Sequence, residues 1–191
     1  MNNPSPAGQK RGPFTVLSSR EVYRNPWIRV QEDKIIRPDG KEGIYGTVTQ
    51  GKGVAILPMD NDGNVWLVKQ FRYGVNRETI EAVSGGMDGK ETPLEAAKRE
   101  LKEEVGATAD EWTDFGTTDV GTSALLCTEH LFLAKELHFS SQEICGDESS
   151  IDLVKMPFVD AVRMVMSGEI TLASSAAFIL KAAQKLNIRY A

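Results

Sequence analysis

The chain has 191 residues, of which 41% are hydrophobic and 26% are charged, values ordinary for a soluble globular protein with a buried core. They exclude a chain that is disordered throughout and a collagen-like chain. The formal net charge of −5 argues against a nucleic-acid-binding surface, since such surfaces concentrate positive charge. No apolar run is long enough for a membrane span or a secretory signal, and two cysteines are too few for a disulfide framework. We therefore expect a cytoplasmic protein that binds neither nucleic acid nor membrane.

The first fifty residues predict a tail followed by a small β unit. Residues 1–12 are polar and rich in proline and glycine, which is typical of a flexible tail. Residues 13–50 predict a small β-sheet unit, in which the turn sequence Arg-Pro-Asp-Gly at 37–40 separates two strands. We expect the remaining residues, 51–191, to form one larger domain.

A β-hairpin is predicted over residues 54–72. The apolar run at 54–57 is typical of a strand that is covered on both faces. The turn sequence Asn-Asp-Gly-Asn at 61–64 then leads into a second strand at 65–71. A short strand at 78–83 follows, and a loop is expected to run through 84–86 to Glu91.

The clearest helix is predicted over residues 92–105. Thr92 is a good N-cap, Pro93 suits the first helical position, and Glu95, three residues after Thr92, completes a capping box. Gly106 is a C-terminal stop signal. Both ends of this helix are therefore fixed by local sequence.

The helix carries two sets of side chains. Apolar residues recur at helical spacing and predict one buried stripe; they are Leu94, Ala97, Leu101 and Val105. Three carboxylates, Glu100, Glu103 and Glu104, are bunched on an edge that we expect to lie opposite this stripe. Such a run is most often a solvated face, but like charges at this spacing destabilise a helix unless a hard divalent cation binds between them. Arg99 is one turn from Glu95 and from Glu103 and can pair with both.

The rest of the chain predicts three strands and two helices. Strands are expected at 112–120, 130–139 and 151–156, and Pro157 then breaks the chain. Helices are expected at 158–167 and 172–186, separated by Gly168. Strands first, one central helix and helices last indicate an α+β or α/β fold, built as a sandwich.

The spacing of the acidic residues is more specific than their clustering. From Gly85 the sequence reads Gly-x5-Glu-x7-Arg-Glu-Leu-x-Glu-Glu-x-Gly-Ala. This is the Nudix box, except that alanine at 107 stands where a larger aliphatic residue is commoner. Seven fixed positions match, and by average composition an accidental match is on the order of one in a billion. The chain resembles a Nudix hydrolase, which implies an α/β/α sandwich with a mixed central sheet.

The resemblance also implies a divalent-metal site on the helix, with Mg²⁺, or Mn²⁺, as the cofactor. Glu100 and Glu104 would be the principal metal ligands. Glu103 would be an additional ligand or would support the others, and Ser84 would offer its backbone carbonyl. Metal ions at such a site would neutralise a diphosphate and activate the attacking water.

Five further positions of the box are implied to be structural. Glu91 and Arg99 would form a pair that holds the loop against the helix. Gly85 and Gly86 would allow a sharp turn that brings the backbone close to the phosphates. Gly106 would end the helix.

Residues outside the box point to a subfamily. The segments at 70–73 and 77–86 are similar to those of ADP-ribose and nucleotide-sugar pyrophosphatases. There Arg72 would contact phosphate, unless it is only a surface charge at a strand end, and Glu81 would lie near substrate or metal. Trp27, in an N-terminal segment of the same type, would either stack on the nucleobase across a homodimer interface or simply pack.

One departure and one late loop bear on the substrate and on the base. ADP-ribose enzymes typically carry a proline about fifteen residues after the box, and residues 119–124 have none. This leaves room for GDP-mannose or another nucleoside diphosphate sugar. Such enzymes recruit another acid, as base or metal ligand, from a late loop; Glu148 is the first candidate here and Asp147 the second.

The predicted function is hydrolysis of the pyrophosphate bond of a nucleoside diphosphate sugar, which gives a nucleoside monophosphate and a sugar phosphate. Two alternatives stay open. One is a Nudix hydrolase of another nucleotide, such as a dinucleoside polyphosphate or an oxidised nucleotide. The other is a non-catalytic Nudix domain that senses a ligand, although such domains usually lose the box glutamates.

Overall fold

The computed structural model describes residues 7–139 and 151–189, and the chain divides into two compact units. The first unit comprises the described residues up to Gly51 together with Asp119–Cys127. The second comprises Lys52–Thr118 together with the described residues from Thr128 onward. In the part of the chain described here, no helix combines the length and apolar character that a membrane span requires.

Ten strands and three helices make up the described structure. The strands are β1 Lys10–Arg11, β2 Phe14–Arg24, β3 Arg29–Ile36, β4 Glu42–Pro58, β5 Asn64–Arg72, β6 Arg77–Glu81, β7 Val83–Gly86, β8 Ala107–Asp119, β9 Leu125–Phe139 and β10 Asp152–Pro157. The helices are α1 Pro93–Val105, α2 Phe158–Ser167 and α3 Ala173–Lys185.

The first unit is an antiparallel sheet in which β1, β2, β3 and the first part of β4 are neighbours. The turn predicted at 37–40 is present between β3 and β4, where Gly40 N–H donates to the Arg37 carbonyl at 2.9 Å. The segment 119–127 joins this unit through the Tyr45 hydroxyl, which donates to the Ser123 carbonyl at 2.8 Å. One long strand, β4, contains both the strand predicted after the turn at 37–40 and the strand predicted at 54–57. Gly51 lies within this strand at φ 96°, a conformation that glycine adopts without strain.

In the second unit the strands form two sheets between helices. One sheet contains β4, β9 and β8, with β7 paired to β4, and the other has the order β10-β5-β6. Alternate side chains of the strands pack against α1 on one side and against α2 and α3 on the other, as the alternation of strand side chains requires. This confirms the predicted α+β sandwich.

The predicted hairpin at 54–72 is only partly correct. Its turn exists, because Asp60 N–H donates to the Asn64 carbonyl at 2.9 Å and Met59 bridges to Val65. The two strands then diverge into different sheets, β4 beside β7 and β5 beside β6 and β10. Residues 54–57 and 65–68 are buried, so both runs lie in the core. Each forms its backbone hydrogen bonds with other strands.

Candidate active site

Helix α1 is held at both ends as its sequence predicts. The N-cap Thr92 accepts a hydrogen bond from Glu95 N–H at 3.3 Å, and Thr92 N–H donates to Glu95 Oε2 at 2.7 Å. Gly106 adopts the left-handed conformation with φ 69°, and its N–H is directed to the Leu101 and Lys102 carbonyls. These caps fix where the helix begins and ends.

The carboxylates of α1 were expected to lie opposite the apolar stripe. For Glu100 and Glu104 this expectation is wrong. Both are buried, with 6% and 5% of their surface exposed, whereas Glu103 is exposed. At 100° per residue, Glu104 is only about 20° around the helix from Ala97. Two of the three carboxylates therefore point inward, towards β7, and Ser84 N–H donates to Glu104 Oε2 at 3.2 Å.

Gly85 provides the space that Glu100 occupies. A Cβ atom on Gly85 would lie 2.0 Å from Glu100 Cδ, so any side chain at this position would have to displace the Glu100 carboxylate. The sharp turn expected at Gly85 and Gly86 is wrong, because both residues lie in β7 and neither has a positive φ. The glycine at 85 is needed for close approach of a carboxylate and not for a special backbone conformation.

Arg99 connects the loop before the helix to Glu100 and Glu103 on the helix. Its Nη2 lies 2.9 Å from Glu91 Oε1, and it also donates to the Gly86 carbonyl at 2.8 Å. Its Nη1 lies 2.6 Å from Glu100 Oε1 and 2.9 Å from Glu103 Oε2. The hydrogen bond to Glu91, together with those to the other acids, raises the pKa of Arg99. The guanidinium therefore stays charged and fixes the orientation of Glu100.

The pairing of Arg99 with Glu95, which spacing alone allowed, is wrong. Glu95 instead completes the capping box with Thr92, and hydrogen bonds from the Thr92 backbone and hydroxyl lower the pKa of Glu95. The Glu95 carboxylate accepts these hydrogen bonds because Glu95 lies in the first turn of the helix, where unpaired N–H groups need an acceptor.

The donor set of this site is suited to a Mg²⁺-like cation. Mg²⁺ keeps several waters and is usually bound by one or two carboxylates together with substrate phosphates. Glu100 and Glu104, one turn apart and buried beside a backbone edge, supply such carboxylates. Within 7–139 and 151–189, no three acid, imidazole or thiol side chains already form a full ligand set. The remaining positions would fall to backbone carbonyl, water or phosphate oxygens.

Arg72 and Glu81 form a second charged group on the neighbouring strands β5 and β6. Arg72 Nε lies 3.1 Å from Glu81 Oε1, and Arg72 Nη2 also donates to Glu81 Oε2. Thr79 Oγ1 donates to Glu81 Oε1 at 2.7 Å. Burial alone would raise the pKa of Glu81, but the hydrogen bonds from Arg72 and Thr79 outweigh it and lower the pKa. Arg72 is thus not an isolated surface charge.

Glu129 on β9 is a candidate residue that sequence reasoning missed. Burial raises the pKa of its carboxyl, against a hydrogen bond with Ser174. Its Oε2 is buried and has no hydrogen-bond partner among the described residues. The signal was available, because Leu131 and Leu133 on the same face of the strand are buried apolar residues, and an acid in that series is out of place.

Three predicted residues fall outside this group. Trp27 lies in the first unit with 75% of its surface exposed, so it does not pack in the core of that unit. The backbone N–H of Trp27 donates to Asn25 Oδ1 at 2.9 Å, and the residue lies in the turn between β2 and β3. Asp147 and Glu148 lie outside the described residues.

Comparisons with known proteins bear on the family of this chain. Residues 49–164 match the NUDIX domain family, and residues 14–48 match the nucleoside diphosphate sugar hydrolase N-terminal domain family. An ADP-ribose pyrophosphatase of Bacillus subtilis (strain 168) is 29% identical over 163 residues, which cover 84% of this chain and 87% of that protein. An ADP-ribose pyrophosphatase of Mycobacterium tuberculosis (strain ATCC 25618 / H37Rv) is 28% identical over 169 residues, covering 87% and 82%.

The fold is also known from a solved structure. The crystal structure of an ADP compounds hydrolase superimposes with a TM-score of 0.80 at 24% sequence identity, covering 96% of this chain and 97% of that chain. This likeness confirms the fold, and the family follows from the sequence match, which spans more than half of the 191 residues. The resemblance read from the box is therefore confirmed, and the chain belongs to the Nudix hydrolase family.

Proposed function

We propose that the chain is a metal-dependent pyrophosphohydrolase of nucleoside diphosphate sugars. The reaction adds water across the pyrophosphate bond and gives a nucleoside monophosphate and a sugar phosphate. The observation that carries the proposal is the pair of buried carboxylates, Glu100 and Glu104, placed against β7 where Gly85 leaves room for them. A protein gains no stability from burying two neighbouring acids unless a cation or a hydrogen-bond network compensates them.

In this proposal each residue has a simple task. Glu100 and Glu104 would hold a Mg²⁺ or Mn²⁺ ion, with Glu103 and the Ser84 carbonyl as further oxygen donors. That ion, when bound, neutralises the diphosphate and lowers the pKa of a bound water. Arg99 holds Glu100 in place, and Arg72 binds a phosphate oxygen. Glu148, or else Asp147, is proposed as the base that accepts the proton from water.

The substrate class rests on the comparisons. The match of residues 14–48 to a nucleoside diphosphate sugar hydrolase N-terminal domain supports a nucleotide sugar. The two relatives named ADP-ribose pyrophosphatase favour ADP-ribose. The lack of a proline at 119–124 keeps GDP-mannose among the candidates. Base stacking by Trp27, a homodimer and a cytoplasmic location are further predictions of this proposal.

A substrate panel tests the proposal. ADP-ribose, GDP-mannose, other nucleoside diphosphate sugars and a dinucleoside polyphosphate would be incubated with the enzyme in Mg²⁺, in Mn²⁺ and in excess chelator, and the products separated by chromatography. We expect AMP and ribose 5-phosphate from ADP-ribose, with either metal and not with chelator. If only the dinucleoside polyphosphate is cleaved, or if no compound is cleaved, the proposed function is wrong.

A further inference from the structure

We propose that Glu81 is a positioning residue that acts through Arg72. Held by Thr79, Glu81 would orient the guanidinium of Arg72 so that its free edge binds the diphosphate of the substrate. This inference rests on the proposed function and deepens it, because it separates two roles that the family pattern leaves open for Glu81, namely contact with metal or substrate and support of another residue.

The hydrogen bonds of Glu81 leave it little capacity for another ligand. It is 2% exposed. Its Oε1 accepts from Thr79 Oγ1 at 2.7 Å and from Arg72 Nε at 3.1 Å. Its Oε2 accepts from Arg72 Nε at 3.2 Å and from Arg72 Nη2. Both oxygens are therefore committed to protein donors, and a metal ion could bind one only by displacing Thr79 or Arg72.

Arg72, in contrast, keeps donors to spare. Its Nε and Nη2 face Glu81, and its Nη1 makes no hydrogen bond to another residue among those described. The side chain is 42% exposed. The hydrogen bond to Glu81 raises the pKa of Arg72, to which the charge of Glu104 also contributes. The guanidinium is thus fixed on one edge and open on the other.

The sheet register explains why Arg72 needs such a partner. Arg72 on β5 lies directly opposite Arg77 on β6, and like charges in that arrangement repel. Arg77 Nη2 donates a hydrogen bond to Thr171 Oγ1 at 2.6 Å. Arg72 instead pairs with Glu81. Without Glu81, we expect Arg72 to lose the single orientation that bidentate phosphate recognition requires.

A double-mutant cycle tests this inference. The variants are Glu81→Gln, Arg72→Gln and the pair together, with KM and kcat measured for ADP-ribose in saturating Mg²⁺. We expect Arg72→Gln and Glu81→Gln each to raise KM, Arg72→Gln by about tenfold. If Glu81 acts only through Arg72, the double variant will be no worse than Arg72→Gln alone, to within about twofold.

Two further variants show whether a rise in KM comes from the Glu81–Arg72 pair or from a general disturbance of strand β6. Thr79→Val removes the hydroxyl that holds Glu81 and should raise KM by about twofold to threefold without changing the metal requirement. Glu78→Gln is the matched control, because Glu78 is an exposed acid of the same strand whose partner is Lys69 at 2.7 Å. It should leave KM unchanged. If Glu81→Gln does not fold, the same cycle is run with Thr79→Val in its place.

Several outcomes would overturn the inference. If the effects of Glu81→Gln and Arg72→Gln multiply, Glu81 acts independently of Arg72. If Glu81→Gln raises the Mg²⁺ concentration needed for half-maximal activity while KM is unchanged, Glu81 is a metal ligand. Wild-type enzyme that cleaves no nucleotide sugar would remove the proposed function and this inference together, whereas active wild type with multiplying effects removes only the inference.

Discussion

Among single residues, Glu104 gives the most direct test of the metal site. It is buried and accepts a hydrogen bond from Ser84 N–H. Glutamine keeps its shape and one acceptor oxygen but removes the charge that a divalent cation requires. We expect Glu104→Gln to lower kcat for ADP-ribose by about a hundredfold or more.

The same variant should fold normally, because it relieves a buried charge. Its melting temperature, followed by circular dichroism without metal, should equal or exceed that of the wild type. Glu111→Gln, which changes an exposed acid on β8, serves as the control and should keep full activity. Wild-type turnover by Glu104→Gln would rule out its assignment as a ligand.

Glu129 is expected to cost the protein stability at neutral pH. Burial raises the pKa of its carboxyl above the ordinary value of 4.5, so the folded chain binds a proton more tightly than the unfolded chain does. Stability from this group is therefore fully present below about pH 4.5 and is lost as the pH rises through the folded-state pKa. Removing the charge should stabilise the fold at pH 7.

Glu129→Gln is thus expected to raise the free energy of unfolding at pH 7 by roughly 1 kcal/mol, since Oε2 then no longer carries an unpaired buried charge. The gain should shrink at pH 4. Urea unfolding at both pH values measures it, with Glu136→Gln, an exposed acid of the same strand, as the control. A gain that is equal at the two pH values would contradict the titration argument.

Between elements, the packing of β7 against α1 depends on one glycine. A Cβ on Gly85 would overlap the Glu100 carboxylate, whereas a Cβ on Gly86 would meet nothing within 4 Å. We expect Gly85→Ala to push Glu100 out of its place and to lower both activity and melting temperature. Gly86→Ala should leave the melting temperature within about 2 °C of the wild type, because surface substitutions without contacts have small effects. Equal melting temperatures for the two variants would show that α1 shifts freely.

The elements that could be predicted from sequence are those with local signals. Helix α1 begins after Thr92 and ends before Gly106 as expected, since caps are set by neighbouring residues. Strand β8 begins at Ala107, five residues earlier than expected at 112. Its first residues are mostly exposed, so they show no strand pattern. Their pairing is decided by distant strands.

The site shows the same division. The acids of the box could be identified by spacing, because a fixed pattern carries that information. Their burial could not, since it depends on how β7 lies against the helix. The Arg72–Glu81 pair was likewise hidden, because its two residues are nine apart on different strands and meet only after β5 and β6 pair. For Glu129 the sequence shows only its alternation with Leu131 and Leu133; that its Oε2 is buried without a hydrogen-bond partner among the described residues is evident only from the fold.

For the whole molecule, the excess of negative charge extends to the site where a metal ion is proposed to bind. The chain carries a net charge of −5, and every residue of the candidate site lies in the second unit. There Glu81, Glu100, Glu104 and Glu129 are balanced chiefly by Arg72 and Arg99. A diphosphate substrate adds more negative charge at the same place. Electrostatics therefore favours a bound cation whether or not substrate is present.

A divalent cation should consequently stabilise the folded protein in the absence of any substrate. A ligand that binds the folded state and not the unfolded one raises the melting temperature by mass action, and the unfolded chain does not hold Glu100 beside Glu104. We expect Mg²⁺ or Mn²⁺ at millimolar concentration to raise the melting temperature by about 2–4 °C over chelator-treated protein.

Sodium chloride at matched ionic strength should not reproduce this shift, because screening acts on all exposed charges alike. Glu104→Gln should abolish most of it and Glu111→Gln should not. If the metal and the salt raise the melting temperature equally, the buried acids of α1 do not form a cation site, and their burial must be compensated within the protein alone.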